Sequence, residues 1–287
     1  MSESFPAIER RAARRNFERA ARSYAGASRL EAEVGARMLE RLDYVKIAPR
    51  LVLDAGSGPA REAKALAGRY RGARILALDF SLAMLPRARL LDRLLHRGLL
   101  ALCADAGRIP LAEEKVDLIW SNMLLHWVSD PLAALREFAR VLAPGGLVMF
   151  STLGPDTLKE LRAAAGASRV HAFVDMHDLG DMLVAAGFSS PVMDMEMLTF
   201  TYENPARLVR DLRASGQTNA RQDRWRGLSP KSSGSACGAA GHVPASRWCT
   251  DMRGKAPRAA KRGRKRCAFS SAFLEAGCWV LEPEPAP

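Results

Sequence analysis

The chain has 287 residues, 48% of them hydrophobic, and a formal net charge of +12 at pH 7. That length suits one α/β domain with additions, or two small domains. No run reaches the roughly 18 uncharged apolar residues of a membrane span. The Arg-rich N-terminus (Arg10, Arg11, Arg14, Arg15, Arg19, Arg22) is interrupted by Glu3, Glu9 and Glu18, acids that transit peptides avoid. The chain therefore reads as cytoplasmic, with no membrane partner. The charge is uneven: residues 221–287 hold 13 Lys/Arg against 5 Asp/Glu, a net of +8 that leaves +4 for the first 220 residues. The basic excess belongs to the tail and does not mark the main body as a nucleic-acid binder. The run from Lys255 to Arg266 has no interleaved aromatics and no recognisable module, so nucleic acid is not an expected partner. Cys103 stands alone ahead of Cys237, Cys249, Cys267 and Cys278, whose spacings of 12, 18 and 11 contain no C-x-x-C pair. Neither a metal site nor a disulfide framework is expected.

In chain order, residues 6–42 carry apolar residues at helical spacing, broken near Gly26 and Ser28. Arg50-Leu-Val-Leu-Asp54 is a short apolar run ending in an acid, and Gly56, Gly58 and Pro59 mark a tight turn after it. Residues 61–70 return to helical periodicity. Ala73 to Leu78 is a second strand, ending at Asp79, with Ser81 as N-cap of a following helix. Leu99 to Cys103 and Val116 to Trp120 are further strands. Leu132 to Leu142 is helical and is stopped by Pro144-Gly145-Gly146; Leu147 to Thr152 is a fifth strand. Helices are expected over Thr157–Ala165, Asp178–Ala186 and Pro205–Ala214, with a strand over Met193–Tyr202. Beyond about Arg224 no period of two or 3.6 is sustained.

Short apolar strands alternating with helices predict parallel βαβ units, hence an α/β, doubly wound, mostly parallel sheet. Ligands of such sheets lie beyond the carboxyl ends of the strands. The candidate residues fall there. Gly56 and Gly58 let backbone approach a ligand with no Cβ in the way. Pro59-Ala60-Arg61 follows Gly58 where a dinucleotide fingerprint wants a third glycine, which disfavours a pyrophosphate ligand. Asp79 can accept both hydroxyls of a ribose. Asp105, after the third strand, can accept an adenine amino group. Asp117 reads as structural. Asn122 follows the fourth strand.

Taken in order, these residues resemble the class I S-adenosylmethionine (SAM)-dependent methyltransferases over about residues 45–155. The resemblance implies SAM as co-substrate, with Gly56 and Gly58 beside its amino-acid part and Asp79 on the ribose. It also implies Asp105 and Ala106 flanking adenine and Asn122 facing the donor methyl, with Asp54, Phe80 and Met84 completing the cofactor set. A narrower resemblance extends from about residue 10 to 228. Ser121-Asn-Met-Leu-Leu-His-Trp127, Phe150-Ser-Thr-Leu-Gly-Pro-Asp-Thr-Leu-Lys-Glu-Leu161, Phe173-Val-Asp-Met-His-Asp-Leu179 and Leu212-Arg-Ala-Ser-Gly-Gln-Thr-Asn219 are similar to the malonyl-acyl-carrier-protein O-methyltransferases of biotin synthesis. That family implies methylation of the free carboxylate of malonyl-acyl-carrier protein or malonyl-CoA; a monomer is expected. The carboxylate is already ionised, so no general base is required. Tyr24, Trp127, Ser151, Thr152 and Arg213 are the substrate-positioning candidates. Other readings are methyl transfer to another small carboxylate or a hydroxyl, a SAM-fold hydroxylase or assembly factor, and an inactive SAM-binding remnant.

The expected organisation is an N-terminal helical cap (1–44), a SAM-binding core (45–155), a substrate-side lid with the remainder of the fold (156–228) and a basic, irregular tail (229–287). The family's last helix and aromatic-rich strand are not recognisable after Leu228. A shifted reading frame over the last fifth is the favoured explanation, with a genuine basic tail as its rival.

Overall fold

Five short apolar segments pair into one parallel sheet. They are β1 (Leu51–Ala55), β2 (Arg74–Asp79), β3 (Leu99–Cys103), β4 (Val116–Asn122) and β5 (Leu142–Ser151), in the order β3-β2-β1-β4-β5. A helix carries the chain from β1 to β2 and another from β4 to β5. The computed structural model describes residues 7–86, 99–189, 191–202, 204–224, 273–274 and 282–283. The strand order reverses between β1 and β4, so their carboxyl ends diverge and leave the crevice in which such sheets bind ligands. Register is continuous from Leu51↔Arg74 to Ala55↔Leu78 across β1 and β2.

Successive residues of a strand point to opposite faces, and both faces of β1, β2, β4 and β5 are largely buried, while β3 is exposed at Leu100, Ala101 and Cys103. Leu53, Ile119, Val148 and Phe150 join one core cluster with Leu135, Phe138 and Leu183. Val52, Leu118, Trp120 and Met149 join the other with Val34, Met38 and Leu66. The first face is covered by α5 (Pro131–Val141) and α7 (Met176–Ala185), the second by α3 (Arg29–Arg41) and α4 (Arg61–Arg69). This double cover is why the strands read as unbroken apolar runs. A third cluster seats α1 (Arg10–Ala20) on the carboxyl end of the sheet through Ala13, Phe17, Met84 and Trp127. Helix α1 is followed by α2 (Tyr24–Ala27), so the predicted N-terminal helical stretch breaks at residues 21–23 and at Ser28, while Gly26 lies inside α2.

Several boundaries differ from those expected. Helix α5 ends at Val141, and Pro144-Gly145-Gly146 lies inside β5 as an irregularity, where pairing jumps from Val116↔Leu142 to Leu118↔Leu147. Gly145 takes φ 72° in that bulge, so the glycines bend the strand rather than stop the helix. Only Glu196–Met197 (β7) forms strand within Met193–Tyr202, pairing antiparallel with Phe273–Leu274 (β8). Phe188–Ser189 (β6) pairs likewise with Glu282–Pro283 (β9). The helix predicted after Ser81 lies outside the described residues from 87 onward, and the four tail cysteines lie outside them too. Helices α6 (Lys159–Ala165) and α8 (Pro205–Ala214) complete the fold. Asn204 caps α8 by accepting from the Arg207 N–H at 3.0 Å, with Pro205 in the first turn.

Candidate active site

The turn after β1 runs through three left-handed residues, Gly56 (φ 78°), Gly58 (φ 51°) and Ala60 (φ 59°). A Cβ on Gly56 would meet the Leu124 side chain at 3.0 Å. One on Gly58 would lie 3.4 Å from Met84 Cε and 3.7 Å from Tyr24 Cε1. The glycines therefore keep open a slot beside the crevice. The N–H groups of Gly56 and Ser57 donate to the Leu78 carbonyl at 2.8 and 2.9 Å, which ties the turn to the end of β2. Asp79 closes the loop: its Oδ2 accepts from the Gly58 N–H at 3.0 Å and its Oδ1 from the Ser81 N–H at 2.8 Å. Burial pushes its pKa up to about 6, against the opposing pull of those two N–H donors.

A small recess beside this turn is lined by Tyr24, Glu31, Asp54, Gly56, Glu62 and Asn122, among others. Three carboxylates converge on it. Asp54 is fully buried, and its Oδ2 has no hydrogen-bond partner among the described residues. Burial first, then the neighbouring Glu62, pushes its pKa well up. Burial also raises Glu31 and Glu62, with Arg61 acting in the opposite direction on both. The Tyr24 phenol is raised by burial and then by Glu31, Glu62 and Asp79. A desolvated acidic recess with an orphaned carboxylate oxygen suits a cationic group, whose charge would relieve the mutual repulsion.

Asn122 is held on both sides. Its Nδ2 donates to the Glu31 carbonyl at 2.8 Å, and its Oδ1 accepts from Ser151 Oγ at 2.8 Å. Ser151 Oγ in turn accepts from the Met123 N–H at 3.1 Å, where Met123 has φ 58°. Ser151 is thus fully committed to shaping the end of β4. Thr152 Oγ1 lies 3.3 Å from His126 Nδ1, and His171 Nε2 donates to the His126 carbonyl at 2.6 Å. Burial lowers the pKa of both histidines, His171 to about 4, so both are neutral at pH 7. Trp127 packs edge-on against Phe17 at 5.1 Å and lies 4.8 Å from His171, ring to ring. Asp105 accepts from the Gly107 N–H at 2.8 Å and pairs with Arg10 at 2.8 Å. Asp117 accepts from the N–H groups of Arg50 and Leu51 at 2.8 and 2.9 Å, a purely structural use.

Most of the residues predicted for the site are brought together. Tyr24, Gly56, Gly58, Asp79, Phe80, Met84, Asp105, Ala106, Asn122 and Trp127 all line one cavity at the carboxyl ends of β1, β2 and β4. Asp54 faces the adjoining acidic recess. A second cavity of about 440 Å3 lies alongside, lined by Arg29, Leu158, Val170, Phe200, Leu212 and Arg213 among others. Trp127 and Gln217 line both cavities. Ser151 and Thr152 line neither, because their hydroxyls are spent on Asn122, Met123 and His126. Glu31, Glu62 and Gln217 were not expected at the site. Glu31 and Glu62 sit in α3 and α4, and the fold turns them toward the recess. Among the described residues no group of three or more His, Cys, Asp or Glu could hold a metal ion, and no helix is long and apolar enough to cross a membrane.

Residues 53–150 match the methyltransferase-domain family. A malonyl-[acyl-carrier protein] O-methyltransferase from Methylovorus sp. (strain MP688) is 48% identical over 230 residues, covering 77% of this chain and 78% of that protein. One of the same name from Laribacter hongkongensis (strain HLHK9) is 46% identical over 240 residues, covering 79% and 80%. The solved structure of the YcgJ protein from Bacillus subtilis superposes with a TM-score of 0.52 at 14% identity, covering 88% of this chain and all of that one, a likeness of fold. With the glycine turn, Asp79 and Asn122 in one crevice and relatives this similar over more than three quarters of their length, the chain belongs to the malonyl-[acyl-carrier protein] O-methyltransferase family.

Proposed function

We propose that this chain transfers the methyl group of SAM to the free carboxylate of a malonyl thioester, carried on acyl-carrier protein or coenzyme A. The product is the methyl ester that opens biotin (pimeloyl) synthesis. One observation supports this reading most directly: the cavity beneath the glycine turn adjoins a second, largely apolar cavity, and the two share Trp127 and Gln217. A donor held in the first can face an acceptor held in the second.

The first cavity fits SAM by its donor set. Asp79 can accept the ribose hydroxyls, Gly56 and Gly58 leave room for close approach, and the orphaned Asp54 Oδ2 with Glu31 and Glu62 suits an ammonium. When bound, SAM supplies an electrophilic methyl on a sulfonium. The acceptor carboxylate, with a pKa of about 4, is ionised at pH 7 and needs no base. The transfer therefore asks no proton transfer of the neutral, buried His126 and His171, and both pack against Trp127. The protein's contribution is alignment: Ser151 fixes Asn122, Asp79 fixes the turn, and Trp127 walls the acyl side. Arg213 places a cation on the wall of the acceptor cavity. We read Tyr24, whose phenol burial keeps protonated, as a donor in the cofactor cavity.

The enzyme is further proposed to act as a cytoplasmic monomer. The change of composition after Leu228 is proposed to reflect a shifted reading frame; re-sequencing the locus and finding no better-matching alternative frame would sink that idea. The functional reading is tested by incubating the purified full chain with SAM and malonyl-acyl-carrier protein and measuring the product mass. A gain of one methyl supports it, and SAM binding without transfer to any malonyl thioester overturns it.

A further inference from the structure

Two residues line both cavities, and one of them, Trp127, is a wall. The other is polar. We propose that Gln217 positions the acceptor carboxylate at the junction of the two cavities and separates it from the buried carboxylate of Glu31, which makes it a specificity-determining residue of the reaction proposed above.

The geometry that supports this is local and rigid. Gly216, with φ 74°, packs so closely on α1 that a Cβ there would lie 3.0 Å from Phe17 Cδ1 and 3.2 Å from Ala20 Cβ. On the other side, Asn16 Nδ2 donates to the Thr218 carbonyl at 3.1 Å, and the Thr218 N–H donates to the Gly216 carbonyl at 2.8 Å. Residue 217 is therefore clamped between two anchors on the first helix, and its half-buried side chain is presented at the junction. The Gln217 amide donates to Glu31 Oε1.

An amide nitrogen carries two hydrogens. One is engaged by Glu31, which leaves the second for an acceptor oxygen. The chemistry of the junction calls for such a group. Glu31 lines the acceptor cavity as well as the acidic recess, so an anionic acceptor approaching the methyl donor meets a like charge. The groups facing Glu31 are Arg61 and Glu62 of α4, Tyr24 of α2 and Tyr202. Of these only Arg61 is cationic, and its Nη2 donates to Ser28 Oγ. A neutral amide that donates to both carboxylates at once converts the repulsion into a bridged pair. A lysine there would neutralise Glu31 but would also hold the acceptor as a tight ion pair and blunt its oxygen as a nucleophile.

The test compares the wild type with Gln217→Leu and Gln217→Glu. The first readout is the steady-state kinetics of malonyl-acyl-carrier protein methylation. The second is calorimetric binding of malonyl- against acetyl-acyl-carrier protein to enzyme loaded with S-adenosylhomocysteine, which reports carboxylate recognition without turnover. For Gln217→Leu the expected outcome is a KM about tenfold or more higher, the effect of one lost hydrogen bond to a charged group. The fall in kcat should be smaller, SAM affinity should stay within about twofold, and the preference for malonyl over acetyl should be lost. Gln217→Glu keeps the shape but sets a second carboxylate against Glu31, so its KM should rise further; retained SAM affinity in each variant shows that it is folded. Unchanged KM and preference in both variants, or a loss of SAM affinity parallel to the loss of activity, overturns the proposal while leaving the methyltransferase reading intact. A wild type that binds SAM but methylates no malonyl thioester overturns both.

Discussion

The cofactor cavity and the acceptor cavity touch at Trp127 and Gln217, yet they are made of different material. The first is a product of the sheet. Its essential features are strand ends, a glycine turn and backbone N–H groups aimed at one carboxylate, Asp79. The second is assembled from segments far apart in the chain, from Ala27 to Arg224, around an apolar lining with cations on its wall. Position in the first cavity is set by backbone geometry, so one lost carboxylate should be severe. Position in the second is shared among many side chains, so single losses there should be graded.

The sharpest way to break the comparison is at Asp79. Asp79→Ala removes the proposed acceptor for the ribose hydroxyls and orphans the N–H groups of Gly58 and Ser81, which hold the turn. Hydrogen bonds to charged groups contribute about 1.5–3 kcal/mol each, so two lost bonds predict a SAM dissociation constant about 100-fold or more higher. Titration calorimetry checks this. A change of only a few-fold would mean that the cavity is not governed by its backbone frame.

Acidity should separate the two cavities next. Burial raises the folded pKa of Asp79 to about 6 from an ordinary 3.8. In the ligand-free protein its contribution to stability is present below about pH 4 and is lost as pH rises through about 6. The ribose contact requires the ionised form, so cofactor affinity has the opposite slope. SAM binding should weaken about tenfold per unit below pH 6, and more steeply if Asp54, Glu31 and Glu62 also take up protons. The thermal shift caused by SAM should therefore be larger at pH 7.5 than at pH 5.5. A shift that is flat with pH would remove Asp79 as the anionic anchor.

Ser151 sharpens the contrast from the other side. Its hydroxyl serves Asn122 and the Met123 N–H rather than a ligand. Ser151→Ala should lower stability by about 1–3 kcal/mol, the cost of leaving buried polar groups unpartnered. KM for the acceptor should change less than twofold. Thermal unfolding and steady-state kinetics on the same preparation distinguish this from a substrate contact, which would reverse the two effects.

The difference between the cavities also explains what could be read from the sequence. Asp54, Gly56, Gly58, Asp79, Asp105 and Asn122 each follow a recognisable apolar strand, and a parallel sheet brings all such ends to one side. Their convergence follows from topology alone. Glu31 and Glu62 carry no such signal. They lie in amphipathic helices, and the place of Glu62 depends on Gly35, where a Cβ would come within 2.6 Å of Glu62 Oε1. That is a contact between α3 and α4 that no local pattern encodes. The same holds for Ser151: a hydroxyl at a strand end faces a ligand or a neighbouring strand according to side-chain geometry, and here β4 claims it. The glycines at 145 and 146 mislead for a related reason, since a bulge within a strand and the end of a helix draw on the same residues.

Arg213 should give the smallest effect and the most informative one about the acceptor side. It is exposed at the end of α8, lines the acceptor cavity and forms no ion pair with the described residues. An exposed cation contributes about 0.2–1 kcal/mol to holding an anion, because water and salt screen it. Arg213→Ala should therefore raise KM for the malonyl thioester by no more than about fivefold, leave kcat and SAM binding unchanged, and lose even that difference at high salt. If the KM effect were instead large and indifferent to salt, Arg213 would have to close onto the acceptor in a desolvated contact. The acceptor cavity would then be as strictly positioned as the cofactor cavity, and Gln217 would share its role at the junction with a moving cation.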